Sequence, residues 1–251
     1  MHDFDVVVVG AGHAGIEAAL ACARMGRRTA CVTLNLSRIG HLPCNCSIGG
    51  PAKGHLAREV DALGGEMAVA TDHTLTHIRR VGTGKGPAVQ TVRAQVCKRT
   101  YPERMRSTLE SQPHLTLIEG SVETVLCKGG HVTGVLAGGI ELRARAVVVT
   151  TGTFLNGLCH EGRNKTVAAR QGDPAVFGLS AFLAEIGVRL RRFKTGTRSL
   201  AARFLIPKSK APTPGRMRRF ARSISLGSDD VLDDAPTRFI MFTMEPRLPM
   251  P

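Results

Sequence analysis

The sequence has no uninterrupted apolar stretch of 18 or more residues, so it offers no candidate membrane-spanning helix. It also lacks the pattern of a secretory signal peptide, because its first apolar run, Phe4 to Val9, is short and opens directly into glycines. The seven cysteines are odd in number and irregularly spaced, which favours reduced thiols in a cytoplasmic compartment. Cys44 and Cys46 stand too close for a zinc knuckle and no second pair completes one, so we expect no metal site.

Acidic residues are absent from the segment between Val188 and Gly227, which carries 12 lysines and arginines. This segment supplies much of the formal net charge of +14 and would attract a polyanion, of which RNA is the obvious candidate. The alternative is a solvated basic tail without a partner. Apolar periodicity decays from about Arg203, and we therefore predict two units: a folded domain over residues 1–200 and a basic, proline-rich tail over 201–251.

The first 34 residues of the chain predict a β-turn-α-β unit. The strands are predicted at Phe4 to Val9 and Thr29 to Leu34, and the helix between them at Ala14 to Met25. Further helices are predicted at His55 to Leu63 and Arg93 to Ser111, and another parallel strand at Leu115 to Glu119. The expected fold class is α/β with a Rossmann-type parallel sheet.

The segment that follows contains two pairs of adjacent glycines. Alternating strands at Ser121 to Cys127, His131 to Ala137 and Ile140 to Leu142 turn at Gly129-Gly130 and Gly138-Gly139, which predicts a small antiparallel meander. A last buried strand is predicted at Ala146 to Thr150, ending in Thr151-Gly152-Thr153.

A glycine-rich turn, Gly10-Ala11-Gly12-His13-Ala14-Gly15, joins the first strand to the first helix. Gly10 would permit a tight turn, Gly12 would let the backbone approach a pyrophosphate, and Gly15 would let the helix pack close to the strand. The helix N-terminus would then direct free N–H groups at the phosphates. In this position the pattern predicts dinucleotide binding, whereas the alternative is a purely structural glycine turn.

The acidic residue expected near the end of the second strand is missing, and Asn35 stands there as a weaker partner for the ribose hydroxyls. Two features favour FAD over NAD. An antiparallel meander is typical of large flavoprotein domains, and so is a strand ending where the backbone of Thr151 and Gly152 can meet the cofactor again. FAD is therefore the predicted cofactor.

Several sequence blocks follow one another over roughly residues 4–198. They are Phe4 to Ala19, Cys44-Asn45-Cys46-Ser47-Ile48-Gly49-Gly50, Lys53-Gly54-His55-Leu56, Glu59 to Gly65, Lys85-Gly86-Pro87-Ala88-Val89, Arg93-Ala94-Gln95, Thr151 to Leu155 and Lys194-Thr195-Gly196-Thr197. In this order they resemble the GidA/MnmG flavoproteins, the large subunit of the enzyme that modifies the wobble uridine of tRNA.

The resemblance implies an FAD-dependent reaction in which a folate one-carbon unit and an amine are joined to uridine C5, with NADH as reductant. It implies that Cys44 matches a loop cysteine able to act as a nucleophile, or else is a structural thiol. It also implies a backbone contact of Val122 to the adenine end of FAD, the alternative being a core valine. Three cations lie in sequence blocks that match the family: Lys53, Lys85 and Arg93. They would contact flavin phosphate, folate carboxylates or RNA, and the alternative is that each is a solvated surface charge.

The sequence also departs from the family. Members are more than twice this length, and their NADH-binding region and tRNA-docking end have no counterpart here; Cys46 replaces a proline. The function expected is a shortened FAD-dependent tRNA uridine-modifying flavoprotein. The alternatives are a non-catalytic FAD-binding module, a decayed fragment, or a flavoprotein like the folate-dependent tRNA methyltransferases. The partners considered are tRNA, a GTPase partner subunit and a second copy of the chain.

Overall fold

The computed structural model describes residues 3–43, 46–161, 163–170 and 172–190, and the predicted tail at 201–251 lies outside them. No helix among the described residues is long and apolar enough to cross a membrane. Short 3₁₀ turns cover Leu36–Arg38 and Pro87–Val89, and the strands and α-helices follow in this order: β1 (Phe4–Val9), α1 (His13–Arg24), β2 (Thr29–Thr33), β3 (Ser47–Gly49), α2 (Lys53–Ala62), α3 (Met67–Thr74), β4 (Leu75–Val81), β5 (Thr91–Val96), α4 (Thr100–Glu110), β6 (Leu115–Glu119), β7 (Val122–Lys128), β8 (His131–Ala137), β9 (Ile140–Val149), β10 (Cys159–Glu161), β11 (Asn164–Thr166) and α5 (Gly178–Glu185).

A six-stranded sheet in the order β6-β2-β1-β9-β8-β7 forms the centre of the fold. Strands β6, β2, β1 and β9 run parallel to one another. Strands β7 and β8 add antiparallel pairs at one edge, together with the first half of β9. The Rossmann-type α/β fold and its antiparallel meander are therefore confirmed.

Both faces of this sheet are buried, because the parallel strands are apolar on both sides. Val8 faces the core formed with Leu20 of α1 and Met105 of α4. Its neighbour Val7 faces the opposite core, which includes Leu179 of α5. Helices therefore cover both faces, as a doubly wound sheet requires.

The two strands predicted at Ile140 to Leu142 and Ala146 to Thr150 are in fact one strand, β9. The prediction was wrong because Arg143 and Arg145 interrupt the apolar run. Both arginines are exposed, whereas Ala144 between them is buried and pairs with Phe4. The strand thus passes from antiparallel pairing with β8 to parallel pairing with β1 without a break.

The prediction of a helix from Arg93 to Ser111 is wrong in its first part. The residues from Arg93 to Val96 belong to strand β5, and helix α4 begins at Thr100. Residues of β5 alternate between half-buried and fully buried positions, the period of a strand. Pairing with β3 and β4 on either side overrides the local helical composition. The resulting three-stranded antiparallel sheet, β3-β5-β4, was not predicted.

The register of the main sheet brings the ends of its parallel strands together. Val9 pairs with Val32 on one side and Val149 on the other, and Thr33 pairs with Glu119. The segments that leave these strands therefore emerge along one edge of the sheet. In open α/β sheets this carboxyl edge is where ligands bind.

Candidate dinucleotide-binding site

The turn after β1 is made by Gly10, whose φ of +100° lies in the region that favours glycine. Its N–H donates to the carbonyl oxygen of Val32 over 2.7 Å, which ties the turn to β2. A Cβ at this position would lie 2.8 Å from the carbonyl oxygen of Thr150. The backbone therefore requires glycine here for both conformation and space.

Gly15 allows α1 to lie against this turn. A Cβ on Gly15 would lie 1.7 Å from the carbonyl oxygen of Gly10 and 2.6 Å from Oγ1 of Thr150. The Thr150 hydroxyl donates to the carbonyl oxygens of Val9, over 2.7 Å, and Gly10, over 3.1 Å. The end of β9, the end of β1 and the start of α1 are thus held in one packed junction.

The N-terminus of α1 is open. Its N-cap, Gly12, has a φ of −75° and provides no side chain to cap the helix, and the first turn contains no acidic residue. A Cβ added at Gly12 would meet no atom within 4 Å. The N–H groups of His13, Ala14 and Gly15 have no acceptor within the helix, so they and the helix dipole favour an anion at this point. This is the arrangement that binds a pyrophosphate.

Asn35 follows β2 at the same edge. Its Oδ1 accepts hydrogen bonds from N–H and Oγ of Ser37, at 2.8 and 2.6 Å, and so caps the short helical turn at Leu36–Arg38. The N–H of Leu36 donates over 2.9 Å to the carboxylate of Glu119, at the end of the neighbouring strand β6. The side-chain amide nitrogen of Asn35 has no partner among the described residues, so its predicted role toward the ribose stays a prediction.

The other predicted cofactor residues reach the same edge from β9 and β6. Thr151 and Gly152 follow the end of β9, and Gly152 has a φ of +57°. Val122 starts β7, just beyond the end of β6, and its side chain is buried in one of the two cores. Only its backbone could therefore contact a cofactor. Ala11, the remaining member of the glycine turn, is buried, and its carbonyl oxygen accepts from the N–H of Gly40 over 3.1 Å.

His13 has an unusual setting for a histidine. Its Nδ1 is buried without a hydrogen-bond partner, and its ring lies 5.9 Å from that of Tyr101. Burial lowers the pKa of His13 to about 4, with smaller contributions from the charges of Lys53 and Arg170. The imidazole is therefore neutral at pH 7 and surrounded by positive potential.

Next to the glycine turn lies a pocket of about 280 Å³. Its lining is His13, Leu42, Pro43, Ser47, Gly49, Lys53 and Arg93. The structure thus brings together two of the three predicted cations, Lys53 and Arg93, whereas Lys85 lies on the exposed connection between β4 and β5. Burial lowers the pKa of Lys53, and no described residue forms an ion pair with it. The predicted nucleophile Cys44 lies outside the described residues.

Three residues of this region were not predicted. Thr150 locks the junction described above, and Arg170 adds positive charge near His13. Glu17, in the middle of α1, accepts hydrogen bonds from the N–H groups of Glu66 and Met67 and so anchors the start of α3. Burial raises the pKa of Glu17. The available signal was an acidic residue amid the small apolar residues of α1, a position that a solvated charge would not take.

Comparison with known proteins matches residues 5–217 to the family model described as glucose inhibited division protein A. The chain belongs to the GidA family. A "tRNA uridine 5-carboxymethylaminomethyl modification enzyme MnmG" from Myxococcus xanthus is 50% identical over 222 residues, which are 87% of this chain and 36% of that protein. The protein of the same name from Geobacillus kaustophilus is 51% identical over 195 residues, 77% of this chain and 31% of its own length.

The crystal structure of Aquifex aeolicus GidA (form II) matches with a TM-score of 0.73 and 49% identity. The matched region covers 77% of this chain and 32% of the Aquifex aeolicus chain. This GidA-family chain therefore spans about a third of the length of the relatives that it matches. The family is FAD-dependent, so the prediction of FAD as the cofactor and the predicted family are confirmed.

Proposed function

We propose that this chain binds FAD at the carboxyl edge of its parallel sheet and forms the cofactor-binding part of a tRNA uridine-modifying flavoprotein. One observation carries the proposal: the uncapped N-terminus of α1, with open space beside Gly12 and free N–H groups behind it. A purely structural glycine turn would require Gly10 and Gly15 for packing, but it would not require open space beside Gly12.

The residues proposed to hold FAD are distributed along that edge. Backbone N–H groups of His13 to Gly15 would bind the pyrophosphate, and Gly12 would leave room for it. Asn35 would meet the ribose hydroxyls, and the backbones of Val122, Thr151 and Gly152 would complete the cradle. Lys53, half-buried and without an ion pair among the described residues, would add positive charge beside the phosphates. The donor set thus fits a bulky dianion.

FAD, when bound, supplies electron and hydride transfer. The chain itself would bind the phosphates, exclude water with Leu42 and Pro43 of the pocket lining, and keep His13 neutral. A neutral His13 with a pKa of about 4 is not suited to be a general base near pH 7, so we assign it a positioning role.

Cys44 is the proposed nucleophile toward the pyrimidine ring. It follows Pro43 directly in the sequence, and Pro43 and Ser47 on either side of the undescribed pair 44–45 both line the pocket. In a modification assay to which the parts carried by the longer relatives are added, replacing Cys44 by serine should abolish modification while leaving FAD bound to this chain. Cys46→Ser is the matched control, since it removes a thiol two residues away, and equal losses in both variants would refute the assignment.

The tRNA substrate is proposed from the names of the relatives and from charge. The curated relatives are named as tRNA uridine modification enzymes, and a cytoplasmic location accords with that substrate. The basic segment from Val188 to Gly227 lies outside the described residues apart from 188–190, and its role in RNA binding stays a prediction. A GTPase partner subunit and a second copy of the chain remain the partners considered.

The test of FAD binding is the visible spectrum of the purified chain and of one variant. The parent should show flavin absorbance or acquire it on reconstitution. Gly12→Val should lose it while keeping the fold, because the side chain would occupy the open space beside the helix N-terminus. A colourless parent that cannot be reconstituted, or a Gly12→Val variant that retains FAD, would refute the proposed site.

A second candidate is an FAD-binding module without the complete enzyme's activity. The observation behind it is that the chain spans about a third of the length of its relatives. Both candidates require FAD, and they differ in whether the FAD-loaded chain supports uridine modification once the parts carried by the longer relatives are added.

A further inference from the structure

The three-stranded sheet β3-β5-β4 has one polar face, and only part of it lines the pocket of the proposed cofactor site. Paired residues of antiparallel strands project to the same side, so two rows of side chains lie across this face. They are Ser47, Gln95 and His77 in one row and Gly49, Arg93 and Arg79 in the other. We call these six residues the basic face. None of the six is acidic.

Arg79 and Arg93 are direct partners in the ladder between β4 and β5. Like charges placed opposite each other in this way repel and destabilise the pair. Neither arginine forms an ion pair or a side-chain hydrogen bond with any described residue. An anion bound between the two guanidinium groups would convert the repulsion into two charge-assisted contacts.

The basic face leads from the pocket to open solvent. Ser47, Gly49 and Arg93 line the pocket beside the glycine turn, where Lys53 adds a second cation. Arg79 is exposed and stands on β4, the outer strand of the sheet. Positive charge therefore continues from the pocket to the sheet edge, which a small anion confined to the pocket would not need. It suits an extended anion with several phosphates.

We infer that the basic face binds the phosphate backbone of an RNA strand, which it would guide toward the pocket beside the proposed FAD site, with Arg79 and Arg93 sharing one phosphate. The inference rests on the proposed tRNA substrate. Arginine suits this role because its planar guanidinium group binds phosphate oxygens in pairs and is weakly hydrated. Contacts to the backbone carry no sequence preference, so this face would position the strand and not select its bases.

The experiment measures binding of an unmodified tRNA transcript to the full chain reconstituted with FAD, over a salt series. The variants are Arg79→Gln, Arg93→Gln and the double variant. Arg145→Gln is the matched control, because Arg145 is also an exposed arginine on a strand, β9, away from the basic face. Any contribution of the rest of the chain is common to the parent and its four variants, so differences between them report on the substituted arginines.

We expect Arg79→Gln and Arg93→Gln each to weaken binding several-fold at low salt. Each should reduce the slope of log affinity against log salt by about 0.7–0.9, the value expected when one phosphate fewer is neutralised. Because the two arginines share one phosphate, the double variant should lose less than the product of the single effects. Arg145→Gln should leave both affinity and slope close to those of the parent.

Flavin absorbance, measured in the same samples, separates this inference from the proposed function. A parent that binds no FAD refutes the proposed site whatever the RNA result. FAD-loaded variants whose salt slopes equal that of Arg145→Gln overturn the inference alone. A parent that binds FAD but no transcript at low salt overturns the inference together with the proposed tRNA substrate. Loss of FAD from Arg93→Gln with RNA binding intact would overturn it too, since the anion would then belong to the cofactor.

Discussion

Gly15 of α1 lies against Gly10 of the preceding turn so closely that a Cβ on Gly15 would come within 1.7 Å of the carbonyl oxygen of Gly10. No side-chain rotation can relieve this contact, because the colliding atom belongs to the backbone. Gly12, between them, has no neighbour within 4 Å of the same hypothetical atom. Three glycines of one short motif therefore serve different purposes, and substitutions can separate packing from binding.

We predict that Gly15→Ala destabilises the fold and that Gly12→Ala does not. The alanine at position 15 must displace the end of β1 or the start of α1, and overpacking of this kind costs about 1–3 kcal/mol or more. At position 12, where φ is −75°, alanine is accommodated and only N-cap preference changes, by less than about 1 kcal/mol. Urea unfolding of the chain without cofactor measures both. Equal stability of the two variants would contradict the close packing of Gly15 on Gly10.

His13 should make the stability of the chain depend on pH in one direction. Its pKa is about 4 in the folded chain and near 6.5 when unfolded, so between these values the unfolded state binds the extra proton. The stabilisation is complete above pH 6.5 and is lost as the pH falls through about 4. The difference in pKa corresponds to on the order of 3 kcal/mol, caused chiefly by burial of the ring.

The measurement compares unfolding free energies of the parent and His13→Asn from pH 7 to pH 4. The variant should show a smaller loss of stability over this range. Glu17, with its raised pKa, contributes the opposite slope in both proteins and cancels in the comparison. His131→Asn removes an exposed histidine from a hairpin and serves as control. Parallel curves for the parent and His13→Asn would show that the ring is not buried as described.

Strands β1, β2 and β6 could be predicted well because each is a short, largely apolar run that ends at a turn residue, whereas β9 could not because Arg143 and Arg145 interrupt its apolar run. Leu115–Glu119 was predicted to the residue, and β1 likewise. Prediction failed where tertiary pairing decides. The residues from Arg93 to Val96 have helical composition, and only their neighbours β3 and β4 make them a strand. The local sequence of a strand does not show which other strands will pair with it.

The candidate site, like the fold, could be predicted from the sequence only in part. The glycine turn could be identified from its residues, since the spacing of Gly10, Gly12 and Gly15 between an apolar strand and a helix is a local sequence pattern. The grouping of Lys53, Arg93 and His13 around one pocket could not, because these residues come from three elements that are distant in the sequence, α2, β5 and α1. The pairing of Arg79 with Arg93 depends on the register of an antiparallel ladder that was not predicted.

Arg79→Gln should stabilise the chain slightly when no RNA is present. Relief of repulsion between directly opposed like charges in a ladder contributes about 0.2–1 kcal/mol. The gain should vanish at about 0.5 M salt, where exposed charges are screened. Thermal unfolding at low and high salt, with Arg145→Gln as control, measures it. A destabilised Arg79→Gln at low salt would mean that the arginine has a favourable partner in the free chain.

NADH should not reduce the flavin of this chain above background. Among the described residues, Gly10 to Gly15 form the single glycine turn between a parallel strand and a helix, the arrangement that binds a dinucleotide. The glycine pairs Gly129-Gly130 and Gly138-Gly139 have positive φ values and close the hairpins between β7, β8 and β9, so they are turn residues without a following helix. The test mixes the FAD-loaded chain with NADH under anaerobic conditions and follows bleaching of flavin absorbance, with dithionite as the control that the flavin is reducible. Dithionite should bleach the flavin and NADH should not. Rapid bleaching by NADH would contradict the prediction and would favour a complete small enzyme over a cofactor-binding module.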